Sequence, residues 1–184
     1  MKRWLIYGAC LAIVLAPLAA SAAVASSDAK FMKKVAQDGK AEVELGKLAA
    51  ERGASDSVKK FGQRMATDHA KAGEELAKFA QDKGVTLPSD LDSTHKRLHD
   101  KLAKLSGADF DREYMRAMAK DHDSDVKAFQ REAKSAKDHD LRAWVAKTLP
   151  TLEEHKQQAH EVMASVSLIV INRVAGTRMG GMFG

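Results

Sequence analysis

Four long stretches of this chain space their apolar residues three and four apart, and only three prolines interrupt the sequence. That spacing places one apolar stripe on each of four helices, and such a stripe must be buried against another element. The first stretch predicts a helix from about Ser27 to Arg52, with Phe31, Val35, Asp38, Glu42, Leu45 and Ala49 along its seam and Gly53 as its stop. The second runs from Ser55 or Asp56 to Gly84 through Val58, Phe61, Met65, Asp68 or His69, Ala72, Leu76 and Phe79. A linker with Pro88 and a short helix over about Leu91–Leu105 follow, broken by Ser106-Gly107. The third long helix covers about Ala108–Ser135 through Phe110, Tyr114, Met118, His122, Val126 and Phe129. The last begins near Asp138 and reaches at least Ser165 through Leu141, Val145, Thr148, Leu152, His155, Ala159 and Val162, and Pro150 is expected to kink or split it. Short links join the first two and the last two long helices, and the longer link carries the extra helix. The predicted fold is all-α, a ferritin-like antiparallel four-helix bundle with a short helix in its crossover connection.

Two segments of these helices nearly repeat. Phe61 to His69 aligns without a gap on Tyr114 to His122, and both read aromatic, three residues, Met-Ala, one residue, Asp-His. The aromatic, Met and His fall at i, i+4 and i+8, near one face of a helix. Glu42, His69, His122 and His155 each lie near the middle of a long helix in an otherwise apolar seam, so antiparallel packing would bring all four to one level. One Glu and three His make a donor set for copper, zinc or iron. Met65 and Met118, one turn away, add thioether sulfur suited to Cu(I). Asp68 and Asp121 project about 100° from the neighbouring histidines and are candidates for outer hydrogen-bonding groups or additional ligands. The alternative is a polar core layer that sets helix register and binds nothing. His95 and His99, at i and i+4 on the short helix, read as a solvated face, as do His139 and His160.

The first residues look like an export signal. Lys2 and Arg3 precede an apolar run from Trp4 to Leu18, and Ala23-Val24-Ala25 fits a cleavage site after Ala25. The reading is therefore 1–25 signal peptide, 26–167 helical domain and 168–184 a flexible apolar and Gly/Met-rich tail, in a bacterial periplasmic protein. Removal of the signal would remove Cys10, the only cysteine, and with it thiol chemistry. The run is short for a membrane span, so no integral span is expected. Net charge is +5 with both signs interspersed, and no basic block carries aromatics, which argues against a nucleic-acid partner. No G-x-S-x-G and no Gly-rich phosphate loop occurs, so hydrolase and nucleotide chemistry lack support.

Gly39-Lys40-Ala41-Glu42-Val43-Glu44-Leu45-Gly46 resembles the first-helix motif of an exported bacterial family catalogued as domain of unknown function 4142, whose members are often labelled predicted outer membrane proteins. Val58-Lys59-Lys60-Phe61 with Met65 and Asp68-His69 resembles its second motif. Tyr114, Met118 and His122 resemble its third, and Leu149-Pro150-Thr151-Leu152 with His155 its last. The resemblance spans about Asp28 to Val162. It implies a ferritin-like bundle in the periplasm or envelope with no settled activity. Ferritin-like di-iron proteins place Glu three residues before His on two helices; here Ala66, Ala119 and Leu152 hold those positions, which speaks against a di-iron oxidase centre. Three readings follow. The first is a metal-binding bundle that serves metal handling under stress; the second is a structural or interaction module, acting on an envelope protein or as a homodimer. The third is a metal-dependent oxidoreductase.

Overall fold

The computed structural model describes residues 24–180, with side chains through Leu168. The expected signal peptide lies almost wholly outside the described residues, and so do 181–184. Five helices make up the described chain: α1 (Ser26–Arg52), α2 (Asp56–Asp82), α3 (Ser93–Ala103), α4 (Gly107–Ser135) and α5 (His139–Gly180). The all-helical reading holds, and no strand occurs among the described residues. None of these helices is long and apolar enough to cross a membrane.

The starts follow from local chemistry. Ser55 caps α2 by accepting from the Val58 amide at 3.4 Å, and Asp92 caps α3 by accepting from Thr94 and His95 at 2.8 and 2.9 Å. Asp138 caps α5 through the Asp140 and Leu141 amides. Gly107, at φ +59°, makes the turn into α4, a backbone state that a side chain would oppose. Pro150 does not split α5, which continues through it as one helix. Buried Val145 and Leu152 hold the segment on both sides of the proline, so tertiary packing overrides the lost backbone hydrogen bond. The backbone of 168–180 is also helical rather than the irregular extension expected from its composition. No proline follows Pro150 to stop it.

α1 packs along α2 and α4 along α5, and each hairpin then meets the other through α2–α5 and α1–α4. Two buried aspartates set this arrangement. Asp28, in the first turn of α1, accepts from the Lys137 and Asp138 amides at the α4–α5 turn, both at 2.8 Å. Asp111, near the start of α4, accepts from the Ala54 and Ser55 amides at the α1–α2 turn, again both at 2.8 Å. Each hairpin thus clasps the turn of the other, and α1 and α4 run antiparallel. α2 and α5 are antiparallel as well, since Arg64 meets Glu154 while Glu75 meets Lys147. It follows that α2 and α4 point the same way, and the connection holding α3 returns along the molecule between them. The repeated motifs accordingly face each other in register: Phe61 meets Tyr114 at 6.2 Å between ring centroids and His69 meets His122 at 5.6 Å.

The apolar interior forms two clusters. One holds Leu45, Phe61, Met65, Tyr114, Met118 and Ala159; the other holds Met32, Leu76, Val126, Phe129, Val145 and Leu152. Every long helix passes from one cluster to the other at a polar residue: Glu42, His69, His122 and His155. The closest approach of α1 and α2 lies beside this layer. A Cβ on Gly62 would stand 2.7 Å from both Ala49 Cβ and the Gly46 carbonyl oxygen, and one on Gly46 would stand 2.6 Å from the Gly62 carbonyl oxygen. Backbone lies on both sides, so nothing flexible can give way. We predict that Gly62→Ala destabilises the protein by about 1–3 kcal/mol. Gly73→Ala, in the same helix but with open space around it, should instead stabilise by about 0.5–1 kcal/mol. Urea denaturation of the two variants checks this; equal effects would mean that the helix crossing tolerates spreading.

Candidate metal centre

The four seam residues meet. His69 on α2 lies 2.9 Å, Nδ1 to Oε2, from Glu42 on α1, and the other carboxylate oxygen of Glu42 lies 3.5 Å from Nε2 of His122 on α4. His155 on α5 completes the group. The three imidazole centroids stand 5.6, 5.3 and 5.5 Å apart, nearly an equilateral triangle. All four residues are buried.

Each ring is held by one nitrogen. Nδ1 of His69 bonds Glu42, Nδ1 of His122 donates to the Met118 carbonyl oxygen at 3.0 Å, and Nε2 of His155 lies 2.8 Å from the Asp68 carboxylate. Asp68 is itself anchored by the Arg64 guanidinium at 3.2 Å. The remaining nitrogens, His69 Nε2, His122 Nε2 and His155 Nδ1, are buried without a hydrogen-bond partner, as is Oε1 of Glu42. A buried polar atom without a partner costs about 1–3 kcal/mol, and here several occur in one layer. One nitrogen from each ring lies within 4.8 Å of one from each of the other two. The centre of an equilateral triangle of that side is about 2.8 Å from each corner, so closure to metal–nitrogen bonds of about 2.0–2.1 Å takes about 0.7 Å of movement per ring.

The electrostatics suit neutral imidazoles beside one anion. Burial alone would raise the Glu42 carboxyl, but His69 and His122 outweigh it and hold it at about 2. Burial pushes His155 down to about 4, against the pull of Asp68, and lowers His122. His69 is raised: burial opposes the charge, and the Glu42 carboxylate more than compensates. At neutral pH the layer therefore holds a carboxylate and two neutral rings, with His69 sharing its proton with Glu42.

The other candidates fall elsewhere. Met65 and Met118 pack in the apolar cluster with Phe61 and Tyr114, one turn from the histidines. Asp68 bonds His155 from the outside. Asp121 does not join the histidines but lines a cavity between α1 and α4, with Asp38, Glu42, Asp125 and His95. His95, read as solvated, is mostly buried there, 3.8 Å from Asp38 and 3.2 Å from Asp92. His139 is exposed as expected, while His160 is half-buried and 3.3 Å from Asp123. Asp125 was not among the sequence candidates; its i, i+4 spacing from Asp121 was the available signal. A smaller and mainly apolar cavity of about 60 Å³ shares Asp38, Glu42 and Asp125 with the larger one and is otherwise lined by His69, His155, Leu76, Phe129 and Trp144 among others.

A family model described as Domain of unknown function (DUF4142) matches residues 14–162. The chain belongs to this family. No curated protein matches its sequence. Among solved structures, a DUF305 fragment from Deinococcus radiodurans is similar with a TM-score of 0.68 at 12% identity, covering 78% of this chain and 99% of that one. CopM in the Cu(I)-bound form is similar with a TM-score of 0.61 at 16% identity, covering 73% of this chain and 93% of that one. At such identities the likeness is one of fold alone.

Asp125 provides a pH test of the layer's surroundings. Burial first, then the negative charges of Glu42 and Asp38, push its carboxyl up to about 8. Its folded value thus lies above its unfolded one, the folded state holds the extra proton between them, and stability falls as pH rises towards about 8. Asp125→Asn removes that loss. The variant should exceed the parent in stability by more than about 1 kcal/mol at pH 8.5 and by little at pH 4. Urea midpoints at the two pH values check it; a gain independent of pH would contradict the assignment.

Proposed function

We propose that this protein binds one transition-metal ion through His69 Nε2, His122 Nε2 and His155 Nδ1. The observation that carries this reading is three buried imidazoles with one nitrogen of each within 4.8 Å of one from each of the others, every ring having one nitrogen fixed by an oxygen and one without a hydrogen-bond partner. That is how imidazole ligands are oriented and kept in the required tautomer. In this arrangement Glu42 and Asp68 serve chiefly as orienting groups, and the Glu42 carboxylate balances charge, with its free Oε1 available as a fourth donor. Nitrogen donors of this kind suit copper and zinc. The fold kinship with CopM, described in its Cu(I)-bound form, supports copper. Met65 and Met118 remain a thioether reserve one turn away. We read the scaffold as a ferritin-like antiparallel four-helix bundle. This is supported by the antiparallel neighbours, the same-way α2 and α4 and the returning connection. With the Ala23-Val24-Ala25 motif, the role is metal handling in the periplasm, and no catalytic activity is assigned.

Metal content of the chain recovered from periplasm, measured by inductively coupled plasma mass spectrometry, tests the proposal. About one equivalent of copper or zinc is expected, and none in His69→Ala/His122→Ala. His69→Leu/His122→Leu should also lose the metal while unfolding at equal or higher urea than the metal-free parent, because buried polar groups replaced by apolar ones of similar volume are often neutral or stabilising. Metal-free parent protein that also refuses Cu(I) and Zn(II) on reconstitution would leave a register-setting polar layer. Asp68→Ala should keep the site but weaken metal binding about 10–100-fold, read by competition with a chromophoric chelator. Unchanged affinity would show that Asp68 does not orient His155.

A further inference from the structure

Of the three imidazoles, only His155 is held by a side chain that reaches solvent: its own side chain is 1% exposed, that of Asp68 33%. A carboxylate with that much access to water is hydrated as readily as it is bonded to a ring, so its bond to His155 is worth little unless the carboxylate is held in place. Arg64, one turn earlier on α2, holds it. All three guanidinium nitrogens are engaged: Nε donates to Asp68 Oδ2 at 3.2 Å, Nη1 to Gln158 Oε1 at 3.1 Å and Nη2 to Glu154 Oε2 at 2.7 Å. Asp68 Oδ2 is the same oxygen that lies 2.8 Å from His155 Nε2. Glu154 and Gln158 stand on α5 to either side of His155 in sequence, so the guanidinium ties the carboxylate of α2 to the stretch of α5 that carries the ring. An ionised carboxylate only accepts, so the His155 proton sits on Nε2 and Nδ1 keeps its lone pair. The repeat offers a comparison inside the molecule. Asp121 stands before His122 as Asp68 stands before His69, but Ala117 occupies the place of Arg64, and Asp121 lines the cavity between α1 and α4 instead of bonding a ring.

We propose that Arg64 is a positioning residue of the metal centre: through Asp68 it aims His155 and fixes which of its nitrogens faces the ion. This rests on the reading of the three histidines as ligands. Arg64 touches none of them and acts only through the carboxylate between. A lysine would not replace it, because an ammonium is a point charge on a flexible stem and cannot span Asp68, Glu154 and Gln158 as a rigid fork does. The neighbouring bridge between Lys147 and Glu75, at 3.0 Å, also joins α5 to α2 but contacts neither Asp68 nor His155. It therefore separates the stitching of two helices from the aiming of a ring.

The first readout is the nuclear magnetic resonance signal of the His155 Nε2 proton in metal-free, isotope-labelled protein, assigned by its loss in His155→Gln. A ring proton bonded to a fixed carboxylate is protected from exchange with water, and its signal lies far downfield. It should be present in the parent, absent from Asp68→Ala and broadened away by exchange in both Arg64→Gln and Arg64→Lys. Lys147→Gln should leave it unchanged. The second readout is affinity for Zn(II), by competition with a chromophoric chelator. Arg64→Gln should weaken it about three- to tenfold, less than Asp68→Ala does. Where Asp68 is already alanine, the same change should add no more than about a twofold loss. Circular dichroism checks that each variant folds, and Arg64→Lys, which keeps charge and length, reports on the ring even if Arg64→Gln misfolds. A His155 signal that persists in both Arg64 variants, or an equal loss of affinity with and without Asp68, would overturn the proposal. So would loss of the signal in Lys147→Gln, which would mark a general loosening of α2 from α5. The proton signal needs no metal. A parent that takes up no Zn(II) or Cu(I) overturns the ligand reading and the site Arg64 would serve, while the signal still shows whether Arg64 holds the ring, so the two failures are told apart.

Discussion

The reciprocal clasp of Asp28 and Asp111 is the contact on which the rest depends. Each carboxylate enters the interior from near the start of one helix and satisfies two backbone amides at the turn of the opposite hairpin. Bonds from a charged acceptor to turn amides are stronger than neutral ones, and here they act at both ends of the molecule. They leave the two hairpins little freedom to slide. A slip of one helical turn, about 5.4 Å, would carry His122 and His155 away from Glu42 and His69 and put apolar side chains opposite the imidazoles.

Within that frame the polar layer is costly and ordered. Two apolar clusters exclude water on either side, which strengthens the Glu42–His69 contact and raises the cost of every atom left without a partner. A layer that only fixed register would be expected to pair its groups with one another. Here only His69 is bonded within the layer, to Glu42, whereas His122 bonds the Met118 carbonyl and His155 bonds Asp68, and one nitrogen of each ring has no hydrogen-bond partner. Those unpartnered nitrogens, more than the presence of histidine, support the proposal of a bound ion over a purely structural layer.

Much of this was legible before the fold was known. The three-four seams locate the helices to within a residue or two at most ends, because apolar stripes and caps are local properties. The mid-helix positions of Glu42, His69, His122 and His155 were legible as a layer for the same reason, given antiparallel packing. What was hidden depended on partners distant in the chain. Asp28 reads as a first-turn acid until its amides at 137 and 138 are known. Which nitrogen of each histidine is free depends on Asp68 and Met118 lying beside particular rings. Asp125 gains meaning only when α4 lies against Asp38 and Glu42. Of the kink or split expected at Pro150, the split does not occur, because the local penalty is set against packing that only the tertiary structure reveals.

The two cavities that meet at Glu42 have unlike walls. The smaller is lined largely by apolar side chains such as Leu76, Phe129 and Trp144, whereas Asp121 lines only the larger. The middle of the molecule therefore borders two spaces, one mainly apolar and beside His69 and His155, the other richer in carboxylates and away from them. Asp38, Glu42 and Asp125 line both, so a change of charge on any one of these three side chains is felt in both spaces at once.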